Sequence, residues 1–228
     1  MFQSHSYCQV FSALIREHWS ELKAFTPTAH FERNETIFSI GDPADGIYLI
    51  ESGRVRVSLL SAEGEEKIVA ICRKGEVVGE VCLCDRGPRE NQAVALGTVE
   101  VTSFRVDVLL RVLKEDPDTV FSLLMVFCAR IQDYQQQVAS LVFDGVRERL
   151  AKEMLRLSEL AEGEPKGGPL ELPVYLTHHE LANLVSTTRD NVTRIMNEFR
   201  KDGLIDYGRK KILIFPDRLE DYLRRQHV

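Results

Sequence analysis

Between residues 188 and 194 the chain reads Thr188-Arg189-Asp190-Asn191-Val192-Thr193-Arg194, two guanidinium groups with a carboxylate and hydroxyls around them. A guanidinium can bind guanine O6 and N7 through two parallel hydrogen bonds, and a carboxylate can accept from cytosine N4. The set therefore suits base edges in a major groove, provided something rigid presents it. Val192, Ile195, Met196 and Phe199 recur at helical spacing as an inward face, which turns Arg189, Asp190, Thr193 and Arg194 outward at the start of a helix. Upstream, Thr177 with Glu180 forms a capping box opening an earlier helix, whose buried face is Leu181, Leu184 and Val185. Ser186-Thr187-Thr188 is the short polar turn between them, so the spacing predicts a helix-turn-helix. Gly203-Leu204-Ile205 ends the second helix, and Asp206 to Lys211 reads as a hairpin whose basic tip, Arg209, Lys210 and Lys211, suits phosphates. Thr177 and Thr188 join the same candidate surface. Any one of these charges alone fits a solvated helix face equally well; turn, face and hairpin together do not.

Charge distribution is compatible with that surface. The whole chain of 228 residues carries a formal −6, but residues 1–144 hold 14 Lys and Arg against 21 Asp and Glu, whereas residues 145–228 hold 15 against 14. Local potential, rather than the total, governs an anionic partner. There is no P-loop, dinucleotide fingerprint, H-E-x-x-H or Ser/His/Asp arrangement, so the sequence supports no enzyme and no catalytic residues. Five scattered cysteines (Cys8, Cys72, Cys82, Cys84, Cys128) fit reduced thiols, and no metal site is expected. Only Cys8 lies near the N-terminus, too few thiolates there for an iron–sulfur cluster, and the six histidines all fall outside Phe31–Thr177. With no membrane-length apolar run and no secretory leader, the expectation is a cytoplasmic protein without membrane contact.

The elements ahead of this surface fall into three stretches. Phe11, Leu14, Ile15, Trp19 and Leu22 predict a short amphipathic helix over Val10–Leu22. From about Phe31 to Arg105, short apolar runs punctuated by glycine predict an antiparallel barrel or sandwich of jelly-roll character, including two β-rich runs joined by Glu51-Ser52-Gly53. Asp116-Pro117-Asp118 then starts a long helix. Along it, Phe121, Leu124, Cys128, Ile131, Gln135, Val138 and Val142 alternate at three and four residues, a coiled-coil seam that pairs with a second copy, although packing on the chain's own barrel would give part of the same pattern. A helix over Gly145 to Leu160 and a breaker-rich loop, Glu162 to Pro169, follow. Cys82 and Cys84, read as strand residues, would share one face as small core fillers.

Taken in this order, the chain resembles the catabolite activator protein / FNR (Crp/Fnr) family over nearly its full length. That family's recognition helix carries S-R-E-T-V-x-R, matched here by residues 188–194, with Asp190 one methylene shorter than the usual Glu and Ser186 at a turn position often occupied by glycine. The resemblance implies an α+β fold: an effector-sensing barrel with an N-terminal helix over 1–115, a dimerisation helix over 116–143, and a winged helix-turn-helix over 144–228. It implies a dimeric transcription regulator whose partners are palindromic double-stranded DNA, a second copy and RNA polymerase, with Arg189, Asp190 and Arg194 as base readers. The family's cyclic-nucleotide cassette is approximated by Gly79-Glu80-Val81 followed by Pro88-Arg89-Glu90-Asn91. By resemblance, Glu80 would hold the ribose hydroxyl and Arg89 the cyclic phosphate of a cyclic nucleotide effector, with Tyr134 and Gln135 near the base. Glu90 and Asn91 replace small residues, and Tyr134 a small hydroxyl, so three alternatives stay open: a pocket closed by a Glu80–Arg89 ion pair with no effector, cyclic di-GMP, or a thiol-redox signal. A regulatory module without DNA binding is the alternative of another class.

Overall fold

The computed structural model describes residues 28–84, 86–160 and 168–226. The helix expected over Val10–Leu22 lies outside them. The chain forms two compact units, one through Gln136 and one from Gln137 onward.

The first unit is built from strands whose alternate residues are apolar: β1 (Thr28–Phe31), β2 (Thr36–Phe38), β3 (Gly46–Ser52), β4 (Arg54–Leu60), β5 (Glu66–Arg73), β6 (Val77–Val78), β7 (Gln92–Ala95) and β8 (Val99–Arg105). They form two antiparallel sheets, in the orders β1-β8-β3-β6 and β2-β7-β4-β5. In β4 the period of two is plain, with Val55 and Val57 buried and Arg54 and Arg56 on the other face. Ile50, Val55, Ala93, Val99 and Val101 meet in one core cluster, each worth up to about 1.5–3 kcal/mol if a large aliphatic side chain. The runs joined by Glu51-Ser52-Gly53 are not a hairpin, because β3 and β4 belong to different sheets. The chain turns this corner at Gly53, where φ is +82° and a Cβ would stand 2.3 Å from the Thr98 carbonyl oxygen. The barrel begins by Thr28, so His30, expected outside it, sits in β1 opposite Glu100.

One helix and the part of a second up to Gln136 complete this unit. α1 (Val106–Glu115) buries Val106, Val108, Leu109 and Val112. α2 (Pro117–Phe143) starts where Asp116 accepts from the Asp118 and Thr119 amides at 3.0 and 3.3 Å. Its buried face is Thr119, Ser122, Leu123, Val126 and Ala129. Leu123 and Val126 pack with Leu49, Phe104 and Leu109. The opposite stripe is open on the single chain: Phe121 is 64%, Ile131 55%, Val138 60% and Val142 68% exposed.

The second unit contains α3 (Val146–Ser158), β9 (Leu170–Glu171), α4 (His178–Val185), α5 (Arg189–Lys201), β10 (Ile205–Gly208), β11 (Lys211–Ile214) and α6 (Pro216–Gln226). Leu150, Ala151, Met154 and Leu157 from α3 are fully buried, as are Leu181 of α4, Val192, Ile195, Met196 and Phe199 of α5, and Leu219 of α6. Strands β10 and β11 pair antiparallel, and β9 adds to the other edge of β11.

Candidate nucleic-acid interface and effector pocket

Thr177 caps α4 as expected: its Oγ1 accepts from the Glu180 amide at 3.2 Å, and the Thr177 amide donates to Glu180 Oε2 at 2.7 Å. The helix ends at Ser186, whose φ of +54° lies in the left-handed region usually filled by glycine. Arg149 of α3 supports this turn, donating to the carbonyls of Val185 at 2.9 Å and Ser186 at 3.3 Å, which have no helical partner ahead of them. Thr188 then caps α5 through the Asn191 amide at 3.3 Å.

The helix so positioned presents Arg189 and Asp190 exposed in its first turn. Arg194 follows on the outward side, 58% exposed, held at 2.8 Å by Glu198, four residues on. Glu198 also takes Arg147, whose guanidinium reaches Asp202 at 3.8 Å and lies 5.7 Å from the Phe199 ring centroid. Arg209 and Lys210 are exposed at the tip of the β10–β11 hairpin, with Lys210 at φ +63°. Lys211 is exposed as well but pairs with Glu171 at 3.0 Å.

Three residues of this surface escaped the sequence reading. His178 Nδ1 lies 2.8 Å from Thr193 Oγ1. Tyr207 of β10 packs edge-on to that imidazole and donates to Asn197 Oδ1 at 2.7 Å. Asn197 was reachable from spacing alone, being four residues beyond Thr193 and eight beyond Arg189 on the same helix face. His178 and Tyr207 were not, since only the tertiary fold brings α4 and β10 against α5.

In the barrel, Gly79 has φ +82° and lies so close to Arg89 that a Cβ would stand 2.7 Å from its Nη1. Glu80 and Val81 begin a 3₁₀ turn ending at Leu83. Arg89 is only 6% exposed. Its Nη2 donates to the Gly46 carbonyl at 2.7 Å and its guanidinium lies 4.1 Å from the Phe38 ring centroid. Glu80 pairs instead with Arg130 of α2, at 3.8 Å. Arg130 also donates to Val77 O at 2.9 Å and Cys72 Sγ at 3.3 Å. The Glu80–Arg89 ion pair considered from the sequence is therefore replaced by a cross-element pair, because the buried Arg89 is already held by a carbonyl and a ring. Among the described residues no carboxylate reaches it within ion-pair distance. A buried guanidinium whose close partners are a carbonyl and an aromatic ring is a setting suited to an anion such as a cyclic phosphate. Glu90, next to it in the chain, is exposed to solvent, where its charge is screened, while Asn91 is half-buried. On α2, Tyr134 is 40% exposed and Gln135 exposed.

The thiols here are divided. Cys82 is buried and donates to Gly46 O at 3.4 Å, whereas Cys84 is exposed. They do not share a face, because a 3₁₀ turn rather than a strand carries them. Burial pushes Cys72 and Cys82 up to about 11 each. No group of three or more candidate metal ligands occurs among the described residues.

Two family models match separate stretches of the chain. Residues 28–116 match the cyclic nucleotide-binding domain, and residues 148–222 match the Crp-like helix-turn-helix domain. A CRP-like cAMP-activated global transcriptional regulator of Mycobacterium tuberculosis is 32% identical over 184 residues, covering 81% of this chain and 82% of that one. A global nitrogen regulator of Nostoc is 31% identical, covering 84% and 86%. The solved structure of a c-di-GMP responsive regulator from Xanthomonas campestris has a TM-score of 0.73 at 22% identity, covering 90% of this chain and 99% of the other, a likeness of fold.

Proposed function

The chain belongs to the Crp/Fnr family of transcription regulators, and from that premise we propose that it acts as a non-enzymatic homodimer on a palindromic DNA duplex under the control of a cyclic nucleotide. Its three functional parts are the sensing barrel to residue 115, the pairing helix over 116–143 and the DNA-reading unit from 144. The observation that carries the reading is the pair of exposed guanidinium groups, Arg189 and Arg194, at the capped start of α5. Arg189 and Arg194 read guanine edges, and Asp190 accepts from cytosine; Arg194 exchanges its Glu198 partner for the base on binding. Thr177, Thr188, Thr193, Arg209, Lys210 and Lys211 fix register on the backbone and groove. Recruitment of RNA polymerase belongs to the same proposal.

In the barrel, Gly79, Glu80, Val81, Arg89 and Asn91 would hold the effector, with Tyr134 and Gln135 on its base side and Glu90 outside. Buried Arg89, held by neutral groups, favours an anionic effector over none. The raised Cys72 and Cys82 pKa values stand against a thiol switch at either residue. Footprinting of the full chain at rising cyclic AMP, cyclic GMP and cyclic di-GMP tests the whole reading. Protection should appear with a cyclic nucleotide and vanish in the R189A/R194A variant, which should still sediment as a dimer. An unchanged footprint from that variant would refute the base-reading role.

A further inference from the structure

The reading helix contains a hydrogen-bonded relay that base recognition by guanidinium groups does not itself require. Thr193 Oγ1 donates to the Arg189 carbonyl at 3.0 Å. A hydroxyl has one proton, so Thr193 must accept from His178 across the 2.8 Å contact, which puts a proton on Nδ1 of the imidazole. Tyr207 packs edge-on to the ring, with centroids 5.8 Å apart. Desolvation, then the Arg189 charge, hold His178 below its ordinary pKa, so at neutral pH it is an uncharged donor wedged between α4, α5 and β10.

We infer that His178 is a specificity-determining residue: through this relay it makes Thr193 a reader of the thymine methyl group instead of a hydrogen-bond donor. The inference rests on the proposed placement of α5 in the major groove. With its one proton on the Arg189 carbonyl, the Thr193 hydroxyl cannot donate to guanine O6, guanine N7 or thymine O4. The second lone pair of the hydroxyl can still accept from an amino group, but thymine offers only its O4 acceptor and its methyl. Toward thymine the γ-methyl is therefore the group left, and apolar contact of a threonine methyl with the thymine methyl is a recognised mode of readout. Tyr207 constrains Asn197 in a parallel way: by donating to Oδ1 it fixes the orientation of the amide.

The test starts from duplexes selected out of a random library by the full chain in the presence of cyclic AMP, so that sequence-specific binding is established first. Each thymine of the selected half-site is then replaced by uracil, which keeps every hydrogen-bonding group and lacks only the methyl. One position per half-site should weaken binding about three- to fivefold, the contribution of one buried carbon. T193S should lose that discrimination. H178A should still bind the selected duplex but with the thymine-to-uracil ratio reduced toward one, and H178N, whose amide can donate to Thr193, should restore it. A wild-type protein indifferent to every thymine methyl overturns the inference. So does an H178A protein weakened equally on thymine and uracil duplexes, since that is a merely structural loss. A library that yields no enriched sequence refutes the DNA reading itself, and this inference with it.

Discussion

Charged side chains in the barrel divide by what surrounds them. Glu80 and Arg89 stand nine residues apart in a recognisable cassette, yet Glu80 faces Arg130 and Arg89 faces a carbonyl and two rings. Which arginine meets a given carboxylate was not legible in the sequence, because Arg130 lies fifty residues from Glu80 and only the packing of α2 on the barrel joins them. The cysteines follow the same logic. A thiol held near 11 is about one part in several thousand thiolate at pH 7.5, and the thiolate is the reactive form. Iodoacetamide at pH 7.5 should therefore modify exposed Cys84 within minutes and leave Cys72 and Cys82 intact until denaturant is added, as peptide mass mapping would report. Rapid native alkylation of Cys82 would revive a redox role.

At the scale of elements, the helix-turn-helix was legible almost residue by residue because each device is local. The Thr177–Glu180 box lies within one turn, and the inward faces of α4 and α5 repeat at the helical period. Less of the barrel was legible. A run such as Val106 to Leu113 continues the valine-rich texture of β8, so nothing local announces that α1 has begun; its burial against Phe104 and Val126 decides the matter. Likewise a Gly-containing turn between two apolar runs does not reveal that β3 and β4 part into different sheets. Ser186 is the element-scale feature with a measurable consequence. A serine at φ +54° sustains a conformation that costs a side-chain-bearing residue about 1 kcal/mol, and Arg149 holds its carbonyl in place. Ser186→Gly should raise the stability of the DNA-reading unit by about 1 kcal/mol in denaturant unfolding followed by circular dichroism, with no change in the α4–α5 connection. A destabilised variant would mean that the serine makes a compensating contact.

For the whole molecule, the deciding feature is that α2 has two apolar faces. One, with Leu123, Val126 and Ala129, is buried in its own barrel; the other, from Phe121 to Val142, is open on a single chain and recurs at the seam period. A stripe of that length facing water would be a liability unless a second copy covers it. Replacing Ile131 and Val138 together by glutamate places like charges opposite one another in a paired seam while leaving the barrel-facing residues untouched. The variant should keep the wild-type circular dichroism spectrum, sediment as a monomer at micromolar concentration, and bind a single half-site no better than nonspecific duplex. Should it instead remain dimeric and protect the full palindrome, the copies pair through some other surface, and the exposed stripe on α2 has a different occupant.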